Sequence, residues 1–370
     1  MRVARLVLVV WTMCVAVSGA LAQELYKPHA GPFDVRVVND QWRDTRRERD
    51  VPVRIYIPRA KAEPTADARF PVVIFSHGLG GSRVNYRYFG EHLASHGYIV
   101  IFPSHAGSDT AALLAWGGKP KGDAARREGW LKASIGDPEN LRNRPRDVSF
   151  LIDQLGVDGH VKDIADRSRV GVGGHSFGAY TSLCVAGMVV DLPEGRDQSF
   201  RDPRVKAVLP MSPQGSGTMG IDEGAWKEVG VPVLCLTGTR DYGEGARSAE
   251  WRREPFENIR GVEDYLITIT GAGHMTFSNP RGEGRAIVEP AGAPGRGEIP
   301  GRFRERAARD AAEVSDEEQA RYLDLIRSVG AAFFDAYVKE DAKAKEWLAE
   351  FSLTNRSDCR VEYTPGGAKP

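Results

Sequence analysis

The sequence predicts an α/β fold in which helices cover both faces of a mostly parallel central sheet. Short runs rich in Val, Ile, Leu and Phe recur along the chain, several apolar throughout, as strands buried on both faces must be. Segments of helical periodicity separate them. At 370 residues and 41% hydrophobic content the chain can bury one substantial core, and residues 23–370 are expected to form a single domain carrying insertions.

In chain order, Asp34–Val38 and Val51–Ile57 read as a hairpin pair. Strands then follow at Val72–Phe75, Tyr98–Phe102, Val170–Gly173, Val205–Pro210, Val233–Thr237 and Tyr265–Thr270. Helices fill the gaps. Pro145, at a first helical position, opens one whose Val148, Leu151, Ile152 and Leu155 form an i, i+3, i+4, i+7 stripe. Another runs Phe177–Met188 after a glycine-rich turn. Ser315 and Glu318 make a capping box for a helix reaching about Val338, and Asp341 caps a last one through Trp347 and Phe351. Residues 105–144 and 279–313 break the alternation as long insertions, either lids or surface loops. The second, rich in Gly, Pro and Arg, is expected to be a surface loop.

The first residues carry an export signal. Arg2 and Arg5 precede an apolar run from Leu6 to Val17, and small residues end in Ala20-Leu21-Ala22, so cleavage is expected near Gln23 and the mature chain is expected to be secreted or periplasmic. The run is shorter than the roughly 20 apolar residues of a membrane span, so no stable membrane anchor is expected. Acidic and basic residues cancel at 50 each, which leaves no reason to expect nucleic acid or an anionic membrane as partner. Cys184 and Cys235 lie in apolar segments and are expected to be buried thiols; with Cys359 they supply neither a disulfide scaffold nor a metal site.

The chemistry-bearing signal is Gly174-His175-Ser176-Phe177-Gly178, a G-x-S-x-G turn between a buried strand and a helix. Such a turn lifts a serine above the sheet, and glycines are needed where the bend brings backbones together. At a helix N-terminus, N–H groups face developing negative charge. Ser176 is therefore the expected nucleophile. After the strand Val72–Phe75 comes Ser76-His77-Gly78-Leu79-Gly80-Gly81, the position that supplies a second oxyanion donor, so the Leu79 and Phe177 amides are expected to form the oxyanion hole. Asp241 follows the strand Val233–Thr237 and His274 the strand Tyr265–Thr270, giving the order Ser, Asp, His that belongs to the α/β-hydrolase fold. His274 is the expected base and Asp241 its orienting acid, with Asp264 the other carboxylate that could serve.

The remaining histidines receive supporting roles. His77 is expected to hold its loop, while His105, His175 and Gly78 are expected to line the substrate site. His92 and His96 have two-ligand spacing, but no third ligand accompanies them and the same face must pack Phe89 and Leu93.

At Phe75-Ser76-His77-Gly78-Leu79-Gly80, Leu93-Ala94-Ser95-His96-Gly97-Tyr98-Ile99-Val100, Gly174-His175-Ser176-Phe177-Gly178, Thr237-Gly238-Thr239-Arg240-Asp241 and the His274 loop, the chain resembles the plasma-type platelet-activating-factor acetylhydrolases. It also resembles the related dienelactone-hydrolase-like bacterial proteins. The resemblance covers nearly the whole mature chain. It implies calcium-independent hydrolysis of a small-molecule or lipid-like carboxylic ester through an acyl-enzyme, with no cofactor. There are departures. Dienelactone hydrolases proper use cysteine where this chain has Ser176, the acetylhydrolases usually place a glycine where it has Ala179, and the Arg-rich insertion after His274 lies outside the pattern. A polyester- or cutin-type hydrolase shares fold and triad, and a non-catalytic binding protein on the same scaffold would usually lose a triad member.

Overall fold

Nine strands form one sheet in the computed structural model, which describes residues 23–59, 69–117, 133–243, 247–278, 314–354 and 356–365. The strands are β1 (Asp34–Asp44), β2 (Arg49–Arg59), β3 (Phe70–Ser76), β4 (Ile99–Pro103), β5 (Ala165–His175), β6 (Val189–Leu192), β7 (Gly195–Ser199), β8 (Val205–Met211), β9 (Val233–Arg240), β10 (Asp264–Gly273) and β11 (Cys359–Thr364). The helices are α1 (Arg87–Ser95), α2 (Thr110–Gly117), α3 (Pro138–Gln154), α4 (Phe177–Ala186), α5 (Glu254–Asn258), α6 (Asp316–Tyr337) and α7 (Ala342–Leu353). The sheet order is β1-β2-β4-β3-β5-β8-β9-β10-β11, while β6 and β7 pair separately. From β4 through β10 every neighbour is parallel. The β1–β2 pair closes one edge antiparallel and β11 the other. This is the α/β-hydrolase fold that the sequence predicts.

Strand periodicity divides the core in two. Along β3, Val72 and Ile74 join the side chains of α3 and α4, including Leu151, Phe177 and Leu183. Val73 and Phe75 point the other way, into a cluster with Phe89 of α1 and Ile326, Val329 and Phe333 of α6. On that second side Asp335 of α6, completely buried, accepts from Tyr26 Oη (3.0 Å), Tyr98 Oη (2.8 Å) and Lys27, and pairs with Lys339 (2.9 Å). The segment before β1 is thereby tied to the last helices.

Four local expectations need correcting or extending. The helix containing Pro145 starts at Pro138, with Asp137 capping it through the Glu139 amide, so Pro145 lies inside it. The missing Pro145 N–H leaves the Leu141 carbonyl without its helical donor, and Tyr180 Oη supplies one at 3.3 Å. The insertion at 105–144 is not featureless, since α2 and the start of α3 occupy part of it. The β6–β7 hairpin and β11 were not expected; β11 carries Cys359, Val361 and Tyr363 at alternate positions, a strand signal in a polar setting. Residues 279–313 and the leader up to Ala22 lie outside the described residues. Among the described residues no helix is long and apolar enough to cross a membrane. Cys184, Cys235 and Cys359 are buried, and burial pushes Cys184 up to about 12.

Candidate active site

Parallel strands carry their following loops to one rim of the sheet, where open α/β sheets place their sites. Ser176 follows β5, Asp241 follows β9, His274 follows β10, and the Gly78–Gly81 loop follows β3, the direct neighbour of β5.

Ser176 has φ 56° and ψ −114°, a positive-φ conformation outside the allowed regions that costs a non-glycine residue about 1–3 kcal/mol and persists only where its surroundings over-determine it. Here the Ser176 amide donates to Met211 O at 2.9 Å, and α4 begins at the next residue. The bend leaves no room at the flanking glycines. A methyl on Gly178 would come within 2.0 Å of Ser76 O, and one on Gly174 within 2.3 Å of Gly178 O. The Ser176 side chain stays half-exposed.

Ser176 Oγ stands 3.0 Å from His274 Nε2, and His274 Nδ1 stands 2.9 Å from Asp241 Oδ1. Asp241 is completely buried; its Oδ2 accepts from Thr237 Oγ1 at 3.1 Å and its Oδ1 from Arg252 Nε at 3.1 Å. Burial alone would raise the carboxyl, but Arg252 and His274 outweigh it and hold the group well below the usual carboxylate range. An ionised Asp241 only accepts, so it draws the imidazole proton to Nδ1 and leaves Nε2 free to accept from the serine hydroxyl. Asp264, the other carboxylate considered, opens β10, at the far end of the strand that leads to His274.

In the loop after β3, the Gly81 amide donates to Gly78 O at 3.0 Å, closing a turn whose third position is Gly80 at φ 74°. Positive φ there favours glycine. The turn bond does not use the Leu79 amide, and Phe177 is a first helical residue, whose N–H has no intrahelical acceptor. These are the two donors expected of an oxyanion hole. The loop is pinned from behind by Gly80 N to Ser108 O and Thr110 N to Gly81 O, at 2.9 and 2.8 Å.

Beneath the loop lies a polar network that sequence patterning reveals only in part. His105, expected at the mouth, is completely buried: its Nδ1 donates to Asp147 Oδ2 (2.9 Å), its Nε2 accepts from Ser76 Oγ (3.0 Å), and its amide donates to His77 Nε2 (3.0 Å). His77 Nδ1 then donates to Gly78 O, 2.6 Å away, so His77 holds the loop. Arg144 donates to His77 O, Ser108 Oγ and Thr181 Oγ1, and stacks 4.3 Å over the Phe177 ring. Burial lowers its guanidinium to about 9. Arg49 joins Asp147 through Nε (2.9 Å) and Nη2 (3.0 Å).

His175, expected on the pocket wall, is also buried. Its Nδ1 accepts from Tyr86 Oη at 2.8 Å and its Nε2 donates to His274 O at 2.9 Å. Gly78 packs behind Ser176, where a methyl would sit 3.4 Å from its Cβ. His92 is buried with its ring edge-on to His96, and His96 Nε2 donates to His29 O.

Residues 53–150 match the family described as platelet-activating factor acetylhydrolase, isoform II. That segment holds β3, α1, β4 and the Gly78–Gly81 loop on the sheet topology described above. The chain has the α/β-hydrolase fold. Over 301 residues this chain is 25% identical to a platelet-activating factor acetylhydrolase of Cavia porcellus, covering 75% of the chain and 60% of that relative. It is 29% identical over 243 residues to the acetylhydrolase of Canis lupus familiaris, covering 57% and 48%. A cutinase of Thermobifida alba is 24% identical over 205 residues, covering 54% and 58%. The chain thus spans between about half and three-fifths of the length of these relatives.

Proposed function

We propose that this hydrolase is an exported serine esterase that cleaves small-molecule or lipid-like carboxylic esters through an acyl-enzyme on Ser176. Its strongest support is the run of contacts from hydroxyl to imidazole to buried carboxylate, 3.0 and 2.9 Å long. His274 takes the Ser176 proton as Oγ attacks the ester carbonyl, and the Leu79 and Phe177 amides hold the oxyanion. The imidazolium, steadied by Asp241, returns its proton to the leaving alcohol. Water, activated by His274, then releases the acid. Export rests on the Arg2–Ala22 leader pattern.

Hydrolysis of p-nitrophenyl esters from acetyl to palmitoyl tests this, with a fluorophosphonate labelling Ser176. Wild-type turnover and labelling, both lost in Ser176→Ala, are expected. An inactive wild type would leave a binding protein on a hydrolase scaffold. The similarity to a cutinase favours one second reading, a polyester-type hydrolase. Release of acid from a solid polyester film at a rate exceeding that on long-chain soluble esters would select it.

A further inference from the structure

Arg252 and Arg253 are neighbours that part company. Arg253 turns outward to Glu257 and Glu362, whereas Arg252 turns in and is 3% exposed. Its guanidinium fastens the rim loops together. Nη1 donates to Ser212 O and Pro213 O after β8, both at 3.0 Å. Nε donates to the carboxylate and main-chain oxygens of Asp241, at 3.1 and 3.2 Å, and Nη2 to Tyr242 O at 3.2 Å. The same Nη2 stands 3.2 Å from His274 Nδ1. Asp241 Oδ1 is closer to that nitrogen and negatively charged, so it takes the ring proton, and Arg252 meets the imidazole as a fixed positive charge.

We infer that Arg252 is a positioning residue for Asp241 and His274, and that its charge sets the acidic limit of turnover. The inference rests on the acyl-enzyme reading above. The Asp241 carboxylate favours the imidazolium, and a buried guanidinium beside the ring disfavours it. Alone, the carboxylate would let His274 keep its proton to higher pH, and a protonated Nε2 cannot accept from Ser176. With Arg252 present, the base is free at lower pH while Asp241 still fixes its tautomer. The cation is out of water, so solvent and salt screen it little. Among the described residues, His175, its ring centroid 4.7 Å away, and Tyr86 behind it also face the ring. Burial, then the neighbouring His274, holds His175 well below its ordinary value, and burial raises Tyr86. Both stay neutral across the limb.

The test is the pH dependence of kcat/KM for p-nitrophenyl acetate, and of fluorophosphonate inactivation, in wild type, R252K and R252Q. R252Q is expected to move the acidic limb up by about one pH unit and to lower the plateau. R252K keeps the charge but not the fork that spans the loops, so its plateau falls while its limb stays within about 0.3 unit of wild type. A limb unmoved in R252Q, or moved as far in R252K, overturns the inference. Should R252Q fail to fold, R252K decides alone: an unmoved limb supports the inference and a moved one overturns it. Failure of the underlying reading looks different, as an inactive wild type or a Ser176→Ala chain that keeps its turnover.

Discussion

Tyr86 Oη donates to His175 Nδ1 over 2.8 Å and accepts from the Gly78 amide over 3.2 Å. Since His175 Nε2 donates to His274 O, one phenol joins the loop after β3, the turn at Ser176 and the loop of the proposed base. Tyr86→Phe removes a hydroxyl and leaves two buried polar groups without partners. A stability loss of about 1–3 kcal/mol is expected, with kcat falling more than KM rises. Calorimetry and steady-state kinetics on one ester check both.

Replacing Asp241 by Asn keeps the shape and loses the charge. The amide can present its NH₂ to His274 and favour the wrong tautomer. A fall in kcat of about 10⁴ is expected, with KM little changed. A near-normal rate would remove Asp241 from the mechanism.

Gly178→Ala places a methyl 2.0 Å from Ser76 O, which is backbone and cannot swing aside. The turn or the strand must shift, at a cost of about 3 kcal/mol or more. Thermal melting should show the loss, and fluorophosphonate labelling of whatever folds should be slow. An unchanged melting temperature would mean that the turn is looser than the contact implies.

Buried histidines set an acid limit on the fold. Burial, aided by nearby cations, holds His77 and His105 below their ordinary value, His105 at about 4; burial does the same to His175. In the unfolded chain each titrates near about 6.5. Between about pH 6.5 and 4 the unfolded state therefore binds protons that the folded state refuses, and each such group removes up to about 1.4 kcal/mol per pH unit. Stability is full above that window and falls as the pH drops through it. Melting at pH 7, 6 and 5 tests the sign; a melting temperature that holds steady or rises toward pH 5 contradicts it.

Most of the sheet is readable because its strands are buried on both faces and so apolar throughout. The edge strand β11 escaped because only alternate residues face inward. The placements of Ser176, Asp241 and His274 are legible because a strand end and a glycine turn mark each. The polar network is less so. Arg144 and Asp147 precede Val148 and Leu151 by four residues, continuing the inner stripe of α3 with charged side chains; that misplaced polarity is a usable signal. Nothing local separates Arg252 from Arg253, because which of two adjacent arginines turns inward depends on the Ser212, Pro213 and Tyr242 carbonyls, which tertiary folding brings together.

The knot at Asp335 bears on timing. Lys27 and Asp335 are 308 residues apart, and Tyr98 reaches the same carboxylate from a third place in the chain. On the export reading, a polypeptide threaded through a membrane leader-first emerges with Tyr26, Lys27 and Tyr98 long before their acceptor. Those three side chains then lack their shared carboxylate until α6 follows, so this one lock closes only on the far side.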